Sequence, residues 1–173
     1  VACAYGFNPE GGSRNFSFST KSTHAGLYRF LLLSKSFRRP SDGFFLRAES
    51  FYNVATEVDR LEELGKQYGL PSMLPSYGGK SLHAQSHGES FLSMVLSRFR
   101  GGGLYILDEP EAALSPSRQL TLLYRIHALA RQGAQFLIAS HSPILMACPG
   151  AEIFEMSDAG ICPTLYQETE HYR

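Results

Sequence analysis

Apolar positions along the second half of the chain follow two alternating rhythms. Ser86 to Phe99 carries Phe91, Leu92, Val95, Leu96 and Phe99 on one broad face, which predicts a helix. Leu104-Tyr105-Ile106-Leu107 then forms a short continuous apolar run after three glycines. Ser115-Pro116 opens a second helix whose Leu120, Leu123, Ile126 and Leu129 ride together, and a second run, Phe136-Leu137-Ile138-Ala139, follows Gly133. Helix, strand, helix, strand with continuous apolar strands is the pattern of a parallel sheet covered on both faces. Ala151 to Met156 and Ile161 to Tyr166, around Asp158-Ala159-Gly160, predict a hairpin.

The first half is less regular. Gly43-Phe44-Phe45-Leu46 is a short apolar burst between turn signals. Residues 51–64 place Val54, Val58 and Leu61 at i, i+4 and i+7, predicting a helix that Gly65 ends. Gly69 to Gly79, with two prolines and no period, predicts a loop.

A length of 173 residues suits one domain, 1–173, in which 1–80 form a variable strand and helix part and 81–173 the regular core. Sixteen Lys and Arg balance sixteen Asp and Glu, which argues against a non-specific polyanion-binding surface. No apolar run approaches the roughly 20 residues that cross a bilayer, and the N-terminus lacks a basic then apolar leader, so a soluble, cytoplasmic protein with no membrane segment is expected. Cys3, Cys148 and Cys162 fit neither a disulfide framework nor a zinc spacing. The chain opens on Val1, as a cleaved product or an incomplete reading frame would.

Three places carry candidate chemistry. The strand Leu104 to Leu107 stops at Asp108-Glu109, at the sheet edge where open α/β folds collect ligands. Two adjacent acids there suit a hydrated Mg²⁺ held by Asp108 and a water polarised by Glu109, the plainer alternative being a strand followed by a polar turn. The strand 136–139 stops at Ser140-His141, and the 33 residues from Asp108 to His141 match one right-handed crossover, bringing both ends to one side. An imidazole there can donate to a phosphate oxygen. Ser86-His87-Gly88-Glu89 is a capping box at a helix start, and the same geometry can receive an anion.

Taken in order, Gln85-Ser86-His87-Gly88-Glu89, Leu104 to Glu109, Glu111-Ala112-Ala113-Leu114-Ser115-Pro116 and His141 resemble the signature, Walker B strand, D-loop and switch histidine of the ABC-type ATPase family. The resemblance covers residues 80–145, and its Asp-Glu-Pro-Glu form is similar to small soluble predicted ATPases and to relatives of repair or phage-exclusion ATPases. Transporters normally have Asp where this chain has Ser115.

The resemblance implies a P-loop NTPase fold, an ABC-ATPase-like, mainly parallel α/β sheet with flanking helices, and a head-to-tail homodimer that sandwiches ATP and hydrolyses it with Mg²⁺. Carried over, Asp108 holds Mg²⁺ through water, Glu109 is the general base and His141 contacts the γ-phosphate. Ser86, His87, Gly88, Glu89 and Ser115 form the nucleotide-binding set, Ser86 and Gly88 contacting the partner's nucleotide, and Ala113 and Ser115 lie at the dimer seam.

Departures from the family pattern carry information. Gln85, His87 and Glu89 replace usual signature residues, and Glu49 stands where the family places a Gln at a strand end. No Walker A loop, G-x-x-x-x-G-K-[ST], occurs: Gly79-Lys80-Ser81 has Leu74 where the first Gly belongs and reads as a lead-in to the signature helix. Val1 to Phe7 resemble the end of the P-loop helix. The expectation is an ATPase domain lacking its P-loop strand, with a transporter's motor subunit and a non-catalytic module that cannot bind ATP as alternatives. Nucleic acid contact follows from family analogy alone, since Arg38-Arg39 and Arg98/Arg100 are small clusters of the kind usually found on solvated faces.

Overall fold

A computed structural model describes residues 1–14, 16, 26–158, 160–170 and 172. Three parallel strands form the central sheet in the order β1 (Gly43–Arg47), β2 (Leu104–Asp108), β3 (Gln135–Ala139). Register is strict: Arg47 lies opposite Asp108, and Asp108 opposite Ala139, so all three strands end at one level. This α/β architecture, a three-strand parallel sheet flanked by helices, agrees with the expected fold class.

One face of the sheet carries most of the core. Phe44 and Leu46 of β1 and Tyr105 and Leu107 of β2 pack under α2 (Phe51–Gln67), α3 (His87–Arg98) and α4 (Pro116–Ala130), through Val54 and Val58, Phe91, Met94 and Val95, and Leu122, Ile126 and Leu129. Tyr105 stacks on Phe99 with ring centroids 4.0 Å apart. The reverse face holds a smaller cluster, in which Phe45, Leu104 and Ile106 meet Ala2 and Phe7. Ala2 begins the one-turn helix α1 (Ala2–Tyr5), which Gly6 stops in a left-handed conformation at φ 103°.

Coverage on both faces holds for β2 but not for β3. Burial of β3 alternates along the strand: Phe136 and Ile138 pack on the core, whereas Leu137 points the other way and is 46 % exposed. The continuous apolar run therefore overstates how enclosed this strand is.

Helix faces also differ from the expected ones. In α3 the buried set is Phe91, Met94 and Val95, with Phe99 buried just beyond the helix and Leu96 turned out. In α4 it is Gln119, Leu122, Ile126 and Leu129, while Leu120 is exposed and Leu123 half-buried. Helix α2 runs through Gly65 to Gln67. The stop comes at Gly69, φ 67°, with the Leu70 amide returning to the Gly65 carbonyl. Inside the expected loop, Leu74–Tyr77 forms a 3₁₀ turn, and the buried Glu62 carboxylate accepts from the Met73 amide at 2.9 Å.

The hairpin forms as expected from β4 (Ile153–Ser157) and β5 (Gly160–Thr164); Ala159, in its turn, lies outside the described residues. Arg98 departs from the solvated-face reading: its guanidinium is bidentate to Asp42, each side chain only 21 % exposed. Among the described residues no helix is long and apolar enough to cross a membrane, and the three cysteines are free.

Candidate functional site

The carboxyl ends of β2 and β3 are stitched together by backbone. Glu109 donates its amide to the Ala139 carbonyl at 2.9 Å, and Ala48 donates to the Asp108 carbonyl at 3.2 Å. Asp108, Glu109 and the Ser140-His141 pair thus share one edge, as the crossover spacing requires. Glu109 sits in the left-handed region at φ 48° and ψ 49°, the only non-glycine residue with positive φ among the described residues. Pro110 then opens the 3₁₀ turn Pro110–Ala113. A left-handed Glu costs about 1–2 kcal/mol of backbone strain, a cost that clusters at functional sites.

Asp108 faces a cation already. Its Oδ2 lies 3.0 Å from Arg47 Nε, and Arg47 Nη2 lies 2.9 Å from Glu49. The first contact is electrostatic without an aligned hydrogen bond, for Arg47 Nε is buried and finds no hydrogen-bond partner. The sequence marks Arg47 only as an arginine closing a short apolar strand, with no pattern that pairs it with Asp108.

Glu111 is the second residue that sequence reasoning gave no role. From the turn after β2 its Oε1 accepts the His141 amide at 2.6 Å and its Oε2 accepts the Ser140 hydroxyl at 2.8 Å. Nearby, buried Gln119 donates to the Leu114 carbonyl at 3.0 Å and accepts from the Ser142 hydroxyl at 2.6 Å. Ser142 caps the short helix α5 (Pro143–Met146) through the Leu145 amide.

At the start of α3 the capping arrangement is realised. The Ser86 hydroxyl donates to Glu89 at 2.6 Å and its amide donates to the same oxygen at 3.2 Å. The other Glu89 oxygen pairs with Arg118 at 3.1 Å. These donors, the Ser86 hydroxyl and amide first and Arg118 after them, hold the Glu89 carboxyl below its ordinary range. Gly88 is buried where a Cβ would stand 2.6 Å from the Ala113 carbonyl oxygen, so its lack of a side chain lets α3 close on the 110–113 turn. His87 turns its ring edge-on to Phe51 at 5.3 Å, away from this contact, against a cleft of about 180 Å³ lined also by Tyr52, His83 and Gln85. Ser115 begins α4, exposed, with its hydroxyl 3.2 Å from that of Ser117.

The residues therefore fall in two groups. Asp108, Glu109 and His141 share the strand edge; Ser86, His87, Gly88 and Glu89 form the α3 terminus, linked to that edge by Gly88 and Ala113. Among the described residues no group of three or more His, Cys, Asp or Glu could hold a metal ion. A hydrated Mg²⁺ needs only one or two carboxylates, and Asp108 opens onto a cleft of about 320 Å³ lined by Val1, Cys3, Tyr28, Phe45 and Arg47. The carboxylate suits such an ion, which would share Asp108 with Arg47, itself already paired through Nη2 with Glu49.

The site thus belongs to a parallel α/β domain whose sheet edge carries an acidic pair on one strand end and a histidine after the next. Residues 13–147 match the family described as "AAA domain, putative AbiEii toxin, Type IV TA system", and the chain belongs to this family of P-loop ATPase domains. It is also similar to the ABC transporter G family member STR2 of Medicago truncatula, 31 % identical over 86 residues, 49 % of this chain and 12 % of that protein. The protein of the same name from Petunia hybrida is 31 % identical over 93 residues, 53 % of this chain and 13 % of that one. The chain thus spans about an eighth of the length of these curated relatives. No solved structure matches it.

Proposed function

We propose that the strand edge serves Mg²⁺-dependent ATP hydrolysis. Asp108 would hold the hydrated ion, which supplies charge neutralisation at the phosphates, while Glu109 accepts a proton from the attacking water and His141 donates to the terminal phosphate. The observation that carries this reading is the pairing of Glu109 and Ala139, which sets the acidic pair and His141 at neighbouring strand tips. Ser86 and Gly88 would face the nucleotide of a second copy in a head-to-tail dimer. The Ser86 hydroxyl must first leave Glu89 for that contact, and Arg118 remains to hold the carboxylate. A motor role in a membrane transporter is the second reading, favoured by the ABC transporter relatives.

The test is Mg²⁺-dependent ATP turnover of the intact protein beside Glu109→Gln and His141→Ala. Both variants should lose about 100-fold or more, and Glu109→Gln with ATP should elute as a dimer. Turnover in Glu109→Gln equal to wild type would remove the general-base assignment.

A further inference from the structure

We propose that Glu111 is a positioning residue for His141, an inference that rests on the ATPase reading of this edge. A backbone loop at a strand end is ordinarily free to choose among conformations, so an imidazole carried there needs something to fix its carrier. Glu111 supplies it with both oxygens: Oε1 takes the His141 amide and Oε2 the Ser140 hydroxyl. Ser140 Oγ in turn accepts the Ser142 amide at 3.0 Å, so one carboxylate organises three consecutive residues. The clamp reaches across 30 residues of sequence from the same turn that Glu109 begins, and the placement of the imidazole relative to Glu109 is thereby set by side-chain chemistry as well as by strand pairing. A glutamine can still face both partners, its oxygen on the His141 amide and its NH2 on the Ser140 hydroxyl, which accepts as well as donates, but it brings no charge to either arm. Hydrogen bonds to a charged acceptor are the strong kind.

Two variants separate positioning from mere stability: Glu111→Ala removes both arms, and the nearly isosteric Glu111→Gln keeps an acceptor for His141 but removes its charge. In the intact protein labelled with ¹⁵N-histidine, the His141 amide is identified by its loss in His141→Ala. It should resonate downfield and exchange slowly in wild type. In Glu111→Ala it should move upfield and exchange about tenfold faster, as expected when a hydrogen bond to a charged group is lost, and Glu111→Gln should fall between the two. ATP turnover should show kcat reduced about tenfold with KM for ATP unchanged. Ser140→Ala, which removes one arm alone, should lower kcat in the same direction, and thermal melts should leave all three variants folded. An unmoved His141 amide in Glu111→Ala overturns the clamp. A moved amide with wild-type kcat, where His141→Ala has lost activity, overturns the positioning role while leaving the ATPase reading intact. A wild-type protein without ATP turnover overturns the ATPase reading and the positioning role with it, and the amide shift then still decides the clamp separately.

Discussion

Gly88 of α3 and the carbonyl of Ala113 approach so closely that a Cβ on the glycine would lie 2.6 Å from the carbonyl oxygen. The neighbour is backbone of a tight turn, which cannot step aside as a side chain could. Gly88→Ala should therefore push α3 away from the 110–113 turn and destabilise the protein by about 1–3 kcal/mol, the usual cost of overpacking. Urea unfolding measures this, and Gly79→Ala is unsuitable as a control because its positive φ adds strain of its own.

Helix α4 offers a sharper comparison, because Leu120 and Leu122 are two residues apart on opposite sides. Leu122 is fully buried and Leu120 is 57 % exposed. Leu122→Ala should cost about 2–5 kcal/mol, whereas Leu120→Ala should stay within about 0.5 kcal/mol. Equal losses in urea melts would contradict the packing.

The α4 case explains what was legible in the chain. Leucines at 120, 122, 123 and 129 satisfy two helical registers at once, and the choice is made by Gln119, whose burial depends on Leu114 and Ser142 as partners. Strands were easier: runs of four or five apolar residues bounded by glycines and acids have few other uses in a parallel sheet. That the acidic pair and His141 share one sheet edge is legible from apolar runs ending in polar residues 33 positions apart. Glu111 did not, since its two donors stand 29 and 30 residues away and no local pattern announces them. Nor did the partly open face of β3, because an apolar run carries no mark of which side is covered.

Arg98 and Asp42 tie the end of α3 to the segment before β1. Burial opposes the charge on Arg98, but the Asp42 carboxylate outweighs it and raises the guanidinium above its ordinary value. Asp42→Asn should cost about 2–3 kcal/mol, at or just below the usual range for a broken buried pair because both side chains keep some solvent. The exposed Arg100 is the control: its alanine variant keeps the backbone amide that donates to the Tyr105 hydroxyl and should change urea stability by no more than about 0.5 kcal/mol.

Acid should weaken the fold through Glu62 and Glu89. Burial pushes Glu62 up, but the Met73 amide, the Ser72 hydroxyl and Lys66 outweigh it and hold it below its ordinary value; Glu89 is lowered by Ser86 and Arg118. A depressed folded pKa means the contribution is complete above the unfolded value, about 4.3, and fades as pH falls through the folded one. Unfolding should take up protons in that window, and Glu89→Gln should take up fewer, as read from the slope of urea stability against pH between 5 and 3. An unchanged slope would show that Glu89 gains nothing from its cap.

Glu109 sets stability against activity. Its left-handed backbone suits glycine, which pays no steric cost there but a larger entropy on folding. Glu109→Gly should therefore be as stable as wild type or up to about 1 kcal/mol more stable, and Glu109→Gln should be unchanged because its backbone strain is the same. Both should lose ATP turnover, since neither side chain accepts a proton from water. A glycine variant that unfolds at lower urea than the glutamine variant would mean that the Glu109 side chain contributes contacts outweighing the strain, and that the turn is held by the residue rather than by the pairing of its amide with Ala139.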